Sequence, residues 1–217
     1  MLTVAISTHG GYARFLPQAM ASALEYADEV IVYDDGGECA NVAHGHPVRY
    51  MALPKTGSLT RARERAIEDA TGDFLLHLDA DDWLIAKPPE TADWCYSDVY
   101  TCNTDGAIDG HWDYSVFSPE SAMRYLNVHR TLPVPMKAVF RVSWLREHGL
   151  SWYEWPHTSF AEDCRTCIEY LKHGPRIGYM PRAPFYVYRL HEGQDTASNE
   201  RRAAFQADLD AYLKGEL

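Results

Sequence analysis

The sequence predicts an α/β fold in which a mostly parallel central sheet is flanked by helices. Strand and helix patterns alternate through residues 1–90, as they do when crossover helices join parallel strands. Three of the predicted strands there end in polar or acidic residues. Ligands of open α/β sheets bind beyond the carboxyl ends of the strands, so these ends are the first place to look for a site. At 217 residues, the chain has the length of one domain, 1–217, with one core.

The strands of the first half are predicted from short apolar runs and the helices from apolar residues three and four positions apart. In the first helix, for example, this spacing places Leu16, Ala19 and Ala23 on one side. Gly72 follows the second helix and is predicted to end it in the left-handed conformation. In chain order, the predicted elements are strand 2–7, helix 12–26, strand 29–33, strand 48–53, helix 58–70 and strand 74–78.

The second half is less regular, but it repeats the same two kinds of pattern. Ser143 is predicted to cap a short helix, and the C-terminal helix has an amphipathic pattern that indicates packing on the surface. The predicted strands are 96–102, 111–117, 139–142, 177–180 and 185–188, and the predicted helices are 119–126, 143–148, 158–173 and 199–217.

The charge balance disfavours two classes of partner. Acidic residues outnumber basic ones by 31 to 20, which gives a net charge of −11 that repels nucleic-acid backbones and anionic membrane surfaces. No run of 18 apolar residues occurs, and the N-terminus has no basic segment before an apolar stretch. We therefore expect a cytoplasmic protein without membrane insertion, and the five cysteines do not form the pattern of a disulfide framework.

Three carboxylates, those of Asp79, Asp81 and Asp82, fall within four positions at the end of a predicted strand. Their mutual repulsion is tolerated where a cation neutralises them, and oxygen ligands suit Mg²⁺ or Mn²⁺. Such ions are commonly shared between protein carboxylates and substrate phosphates. A solvated acidic loop has the same composition, so this cluster alone leaves both interpretations open.

Several segments of residues 1–90 resemble family 2 glycosyltransferases in order and spacing. They are Thr3-Val-Ala-Ile-Ser-Thr8, Val30-Ile-Val-Tyr-Asp-Asp-Gly36, the pair Ala62-Arg63, and Gly72-Asp-Phe-Leu-Leu-His-Leu-Asp-Ala-Asp-Asp-Trp83. The resemblance implies the GT-A fold of nucleotide-diphospho-sugar transferases and inverting, metal-dependent sugar transfer to a hydroxyl group. The chain departs from the family where His9-Gly10-Gly11 replaces a common Tyr-Asn pair, and where Glu64 replaces an asparagine.

The resemblance also implies a part for individual residues. Residues 1–90 would bind the nucleotide sugar, residues 91–198 would bind the acceptor and carry the general base, and 199–217 would be a C-terminal helix. The implied donor contacts are Thr8, Asp35, Arg63, Asp79, Ala80 and Arg189, with Asp35 on the base (uracil suits it best) and Arg63 and Arg189 on phosphate. The implied metal ligands are Asp81, Asp82 and His191, and the implied base is Asp163.

The roles assigned to residues of the second half each have a purely structural alternative. Glu162 and Asp163 would also favour the positive end of a helix, as acidic residues do routinely. A histidine such as His191 can be a packed or solvated residue. The aromatic residues of the second half could build an acceptor platform or simply a core; they are Trp94, Trp112, Trp152, Tyr153 and Trp155.

Three other functions share most of these features. A nucleotidyltransferase would need a glycine-rich phosphate loop with basic residues, for which His9–Arg14 is a weak candidate. A non-catalytic sugar-nucleotide-binding protein would not need to retain all four of the aspartates Asp79, Asp81, Asp82 and Asp163. A sugar-nucleotide hydrolase would use the same residues with water as acceptor. For a transferase we expect a UDP-sugar donor and a glycan, protein or small-molecule acceptor, and the sequence indicates no oligomeric state.

Overall fold

The computed structural model describes residues 1–129, 135–157, 162–192 and 199–216. Within these ranges, the strands are β1 (Leu2–Thr8), β2 (Glu29–Asp35), β3 (Arg49–Leu53), β4 (Phe74–Asp79), β5 (Trp83–Leu84), β6 (Trp94–Ser97), β7 (Val99–Cys102), β8 (Ile108–Trp112), β9 (Val139–Arg141), β10 (Ile177–Met180) and β11 (Tyr186–Arg189). The helices are α1 (Leu16–Tyr26), α2 (Ala40–Ala43), α3 (Thr60–Asp69), α4 (Pro119–His129), α5 (Val142–Glu147), α6 (Glu162–Lys172) and α7 (Asn199–Leu213).

The strands form two sheets. The larger has seven strands in the order β10-β6-β9-β4-β1-β2-β3, and it is parallel except at β9. The smaller has four strands in the order β5-β11-β7-β8. The predicted α/β class with a mostly parallel central sheet is confirmed.

Helices cover both faces of the larger sheet, so every residue of β1 is buried. Along β1 the side chains alternate between two cores. Ala5 contacts the core that includes residues of α3, α5 and α6, whereas Val4 and Ile6 contact the core that includes α1 and part of the smaller sheet. The larger sheet therefore lies in the middle of the molecule, and its strand ends open onto one edge.

The smaller sheet corrects the prediction of one strand over 96–102. The chain forms β6 in the larger sheet, breaks at Asp98 and continues as β7 in the smaller one. The Asp98 carboxylate holds this break because it accepts hydrogen bonds from Tyr114 N, Arg182 N and Tyr179 Oη at 2.9, 2.8 and 2.6 Å. The strand predicted at 111–117 corresponds to β8, which spans Ile108–Trp112 and so begins and ends earlier than predicted.

The predicted and observed structures also differ at the starts of two helices and at Gly72. Pro17 lies in the first turn of α1, which begins at Leu16, and a 3₁₀ turn at Gly10–Tyr12 precedes it. Ser143 does not cap α5, since Arg141 is the N-cap and its side chain makes no capping bond. Gly72 is not left-handed. Instead, a Cβ there would lie 2.8 Å from Met1 O and 2.9 Å from Thr3 N, so the position has no room for a side chain.

The ends of the last two helices lie partly outside the described residues. Residues 158–161 of the helix predicted at 158–173, and residue 217 of the one predicted at 199–217, belong to this part of the chain. The C-terminal helix packs through Phe205 and Leu209 against Trp155 and Ile168. None of the helices in the described ranges combines the length and apolar character that crossing a bilayer requires.

One carboxylate, that of Asp93, ties three strands together at the edge of the larger sheet. It accepts hydrogen bonds from Arg141 Nε at 3.1 Å and from Arg176 N, Nε and Nη2 at 3.0, 3.0 and 2.9 Å. These hydrogen bonds to Arg176, together with those to Arg141, lower the pKa of Asp93 to about 2, against some opposition from burial. Asp93 thus fixes β6 to the residues beside β9 and β10.

Replacing Asp93 with asparagine is expected to reduce the free energy of unfolding by about 2 kcal/mol, because hydrogen bonds to an ionised group are lost. In a domain of this size, that corresponds to a fall in Tm of about 4–8 °C. The contribution is present above the unfolded-state pKa of about 3.9 and disappears as the pH falls through the folded-state value of about 2. Thermal unfolding at pH 7 and pH 2 tests this, with the exposed Asp105→Asn variant as control.

Candidate active site

The ends of β1, β2 and β4 bring the predicted site residues to one edge of the larger sheet. In the strand register, Ser7 of β1 pairs with Asp79 of β4, and Thr8 pairs with Asp34 of β2. The buried Ala80 reinforces this edge through a hydrogen bond from its N–H to Ser7 O at 3.2 Å. The local sequence therefore delivers a row of acidic and polar side chains to the position where α/β sheets bind ligands.

Asp79 lies between two cations, the buried Arg63 and the half-buried Lys137. Arg63 Nη2 donates to Asp79 Oδ1 at 2.7 Å, and Lys137 Nζ forms a close ion pair with Oδ2. Burial by itself would raise the pKa of Asp79, but the two cations hold it well below the usual range of an aspartate. Asp79 is therefore ionised, and the protein supplies its counter-ions.

Arg63 bridges the two halves of the site. Besides Asp79, it contacts Glu162 Oε1 at 2.6 Å through Nη1, and its guanidinium lies 4.6 Å from the centroid of the Trp152 ring. The sequence predicted Arg63 at the diphosphate. In the structure its terminal nitrogens contact two carboxylates, so Arg63 connects the end of β4 with the start of α6. A contact between Arg63 and the diphosphate stays a prediction.

Asp82 is fully enclosed and joined to the last strand of the smaller sheet. Its Oδ2 accepts a hydrogen bond from Tyr186 Oη at 2.7 Å and lies 3.4 Å from Lys137 Nζ, while Oδ1 accepts from Arg189 N at 2.8 Å. Burial raises the pKa of Asp82 to about 8, although Lys137 opposes the shift. Through these contacts Asp82 anchors β11 to the loop after β4. Its role as a metal ligand stays a prediction.

Asp81 faces His191, as a shared metal site would require. Asp81 Oδ2 lies 3.1 Å from His191 Nε2, and the histidine ring packs 5.7 Å from Tyr12 and 4.9 Å from Phe15, centroid to centroid. Burial, with the neighbouring Asp79 charge, raises the pKa of Asp81.

Across the described ranges, no three His, Cys, Asp or Glu side chains are grouped so that they could hold a metal ion. A pair of oxygen and nitrogen donors fits Mg²⁺ or Mn²⁺ only where substrate phosphates and water complete the coordination. Asp81 and His191 therefore fit a metal that binds together with a diphosphate.

Arg189 holds the segment around the acidic loop. Its Nε donates to Asp81 O at 2.8 Å, Nη1 donates to Thr104 O at 2.7 Å and Nη2 donates to Gln18 Oε1 at 2.5 Å. Its guanidinium also lies 4.8 Å from the ring centroids of Phe15 and Trp83. These protein contacts fix the loop carrying Asp81, and a contact between Arg189 and phosphate stays a prediction.

The two residues predicted beside the nucleoside are fixed by neighbouring turns. Asp35 accepts hydrogen bonds from Thr56 N at 2.7 Å and from Gly57 N at 2.8 Å, which orders the turn before α3. The Thr8 hydroxyl lies 3.7 Å from Cys39 Sγ. Both residues lie at the predicted edge of the sheet, and their contacts with a base stay predictions.

Asp163 and Glu162 form the first turn of α6, on the other side of Arg63 from β4. Asp163 Oδ1 accepts a hydrogen bond from Cys164 N at 2.8 Å. Burial raises the pKa of Asp163, and Arg63 and Lys137 oppose the shift. A half-buried carboxylate with a raised pKa is the kind of group that accepts a proton in general base catalysis.

Lys137 is the principal site residue that the sequence reasoning missed. It stands alone between Met136 and Ala138, both buried, just before the apolar strand β9. A lysine among buried residues is rarely tolerated without a partner, so this pattern was the available signal. Its ring contacts, at 5.4 Å to Tyr186 and 5.2 Å to Tyr188, show that the late strand closes over it.

The aromatic residues of the second half divide clearly. Trp94, Trp152 and Trp155 are buried core residues, whereas Trp112 is exposed on β8.

The pair Cys164 and Cys167 is buried with both thiols free.

Comparison with solved structures identifies the fold. The chain has the GT-A fold: the S. aureus TarS 1-349 structure in complex with UDP superposes with a TM-score of 0.66 at 15% identity, over 96% of this chain and 64% of that one. The TarS 1-349 complex with UDP-GlcNAc gives 0.65 at 16%, over 96% and 66%. A further S. aureus TarS structure gives 0.63 at 15%, over 87% and 36%. This chain thus spans less than two-thirds of each.

The sequence match is more specific than the fold. Residues 3–92 match the family model described as Glycosyl transferase family 2. The resemblance read from the motifs of residues 1–90 is confirmed. The search of curated proteins found no match.

Proposed function

We propose that the protein transfers a sugar from a UDP-sugar to a hydroxyl acceptor, with inversion at the anomeric carbon and with a divalent metal. The observation that carries this proposal is the acidic edge of the sheet, where Asp81 and His191 form a buried pair of metal donors beside Asp79. The family match over residues 3–92 supports sugar transfer. The TarS structures with UDP and UDP-GlcNAc support a uridine donor.

Different residues of the chain would bind the metal, accept the proton and orient these groups. Asp81 and His191 would hold the metal, which supplies a positive charge to the departing diphosphate when bound. Asp163 would take the proton of the acceptor hydroxyl as its oxygen attacks the anomeric carbon. Arg63, Lys137 and Asp82 orient these groups, because their ion pairs and hydrogen bonds join β4, α6 and β11.

Calorimetric titration tests the donor class. The protein is titrated with UDP, GDP, CDP and ADP, each with Mn²⁺ and then with a chelator. We expect selection of UDP and loss of most of the affinity on chelation. The Asp81→Ala variant should bind UDP equally weakly with and without Mn²⁺, because a ligand that holds the metal to the diphosphate is missing.

An exposed carboxylate outside the site provides the matched control. Asp105→Ala should behave as the unaltered protein does, since Asp105 lies in the β7–β8 turn. Binding of none of the four diphosphates would contradict the proposed function. Equal Mn²⁺ dependence in the Asp81→Ala variant would contradict the metal assignment alone.

A further inference from the structure

The outer strand of the smaller sheet carries an exposed tryptophan. Trp112 is 43% exposed, whereas the other five tryptophans of the chain are each at most 8% exposed. A large apolar ring left in water at the end of an edge strand has no role in the core. The residues around Trp112 therefore indicate which kind of ligand its ring could contact.

The strand register places Trp112 on the same face as the tyrosines over the acidic site. Trp112 and Tyr186 both pair with Val99, and Gly110 and Tyr188 both pair with Thr101. Register partners share a face, and so do residues two apart on a strand. The Trp112 and Tyr188 rings lie 5.1 Å apart at 39°.

This aromatic face, which we define as Tyr186, Tyr188 and Trp112, is continuous with the active site. Tyr186 Oη donates to Asp82, and the Tyr188 ring lies 5.2 Å from Lys137 Nζ. Trp112 lies two strands further out, which is about 10 Å at the usual strand spacing. The aromatic face thus leads from the reacting end of the site to the surface.

The centre of the aromatic face is kept low by a glycine. A Cβ at Gly110 would lie 2.6 Å from Thr101 Oγ1, so this position of β8 has no room for a side chain beside Thr101. No side chain of β8 therefore stands next to Trp112 at position 110, and a flat ligand can lie over the Trp112 and Tyr188 rings.

The charge of this region selects among flat ligands. No lysine or arginine occurs between Lys87 and Arg124, while this segment contains five aspartates. Among them, Asp113 is 73% exposed and lies 3.4 Å from His111 beside the tryptophan. His111 and Asp113 are the chain neighbours of Trp112, so their side chains alternate to the other side of the strand and leave its ring uncovered. The acidic charge beside this face repels a ligand with phosphate groups, whereas a neutral sugar is not repelled.

We propose that the aromatic face is the acceptor platform and that the acceptor is a neutral pyranoside. Its apolar ring face would lie on Trp112 and Tyr188, and one hydroxyl would point toward the donor end of the site. The proposal rests on the proposed glycosyltransferase function, whose nucleotide donor it leaves unchanged.

Ligand-detected NMR on the whole chain tests the platform, with titration to give affinities. The probes are methyl β-D-glucopyranoside, N,N′-diacetylchitobiose and, as an acyclic polyol that lacks a ring face, sorbitol. The variants are Trp112→Ala, Trp112→Phe and the matched control Ile108→Ala, an exposed apolar residue of the same strand. UDP titration with Mn²⁺ is run on each variant.

We expect binding of at least one pyranoside but not of sorbitol, a loss of about tenfold in Trp112→Ala and recovery of most of the affinity in Trp112→Phe. Ile108→Ala should match the unaltered protein, and UDP affinity should stay constant throughout. Equal pyranoside binding by Trp112→Ala, or binding of neither pyranoside by the unaltered protein, would overturn the platform. A loss of UDP rather than pyranoside affinity in Trp112→Ala would also overturn it. Pyranoside binding without UDP binding in the unaltered protein would count against the donor assignment alone.

Discussion

Replacing Asp163 with asparagine is expected to lower the rate of sugar transfer by about 10²–10⁴-fold, the usual contribution of a general base, with unchanged UDP affinity. Asparagine has the same shape and keeps an oxygen for the hydrogen bond from Cys164 N. It cannot take a proton from the acceptor. Turnover with a UDP-sugar and UDP calorimetry, measured on the same preparation, test the two halves of this expectation.

The pH profile provides a second measurement on Asp163. The base acts in its ionised form, so the rate of the unaltered protein falls as the pH drops through the pKa of Asp163. Burial raises that pKa, with Arg63 and Lys137 in opposition, so the fall begins above the usual range of an aspartate. In the Asp163→Asn variant this part of the profile should disappear.

The control for Asp163 is another acidic residue in the first turn of a helix. Glu120 has this position in α4 and is exposed. If acidic residues acted only on the helix end, Asp163→Asn and Glu120→Gln would each lower stability slightly and leave transfer intact. Normal transfer by Asp163→Asn would show that the base assignment is wrong.

Replacing Lys137 with methionine is expected to reduce the free energy of unfolding by about 1.5–3 kcal/mol, because the ionised Asp79 loses one of its two cations and Asp82 loses a charged neighbour. Tm should fall by about 3–12 °C. Arg63 still pairs with Asp79, whereas Asp82 keeps only hydrogen bonds. Thermal unfolding of Lys137→Met and Lys137→Arg tests this, and arginine should restore part of the loss.

Divalent metal distinguishes an electrostatic loss from a packing loss. Mn²⁺ should raise the Tm of Lys137→Met more than that of the unaltered protein, because the acidic loop has then lost its internal cation. The control is Lys87→Met, which removes an exposed lysine paired with Glu90 at 3.1 Å and should cost at most about 1 kcal/mol. Equal Tm values for Lys137→Met and the unaltered protein would refute the counter-ion role.

The sequence allowed prediction of those features that depend on neighbouring residues. Apolar runs followed by polar ends placed Thr8, Asp35 and Asp79 correctly at one edge of the sheet, since parallel strands bring their ends together. The family motifs then connected this edge with the start of α6.

The features that escaped prediction depend on contacts between distant residues. Lys137 meets Asp79 across 58 positions, and Arg63 meets Glu162 across 99. No local pattern shows that both partners of Arg63 are carboxylates of the protein. The break at Asp98 escaped for the same reason, because its hydrogen bonds come from residues 16, 81 and 84 positions away.

Residues from both halves of the sequence form the larger sheet, and this limits which segments can be exchanged with those of a homologue. The strand that carries the acidic loop, β4, has β1 on one side and β9 on the other, so residues from both halves of the sequence complete one sheet. A fragment ending near residue 90 would leave the apolar edge of β4 open to pairing with other chains. Exchange of the first 90 residues between homologues would therefore succeed only if the segment that forms β9, with Lys137 just before it, is exchanged as well.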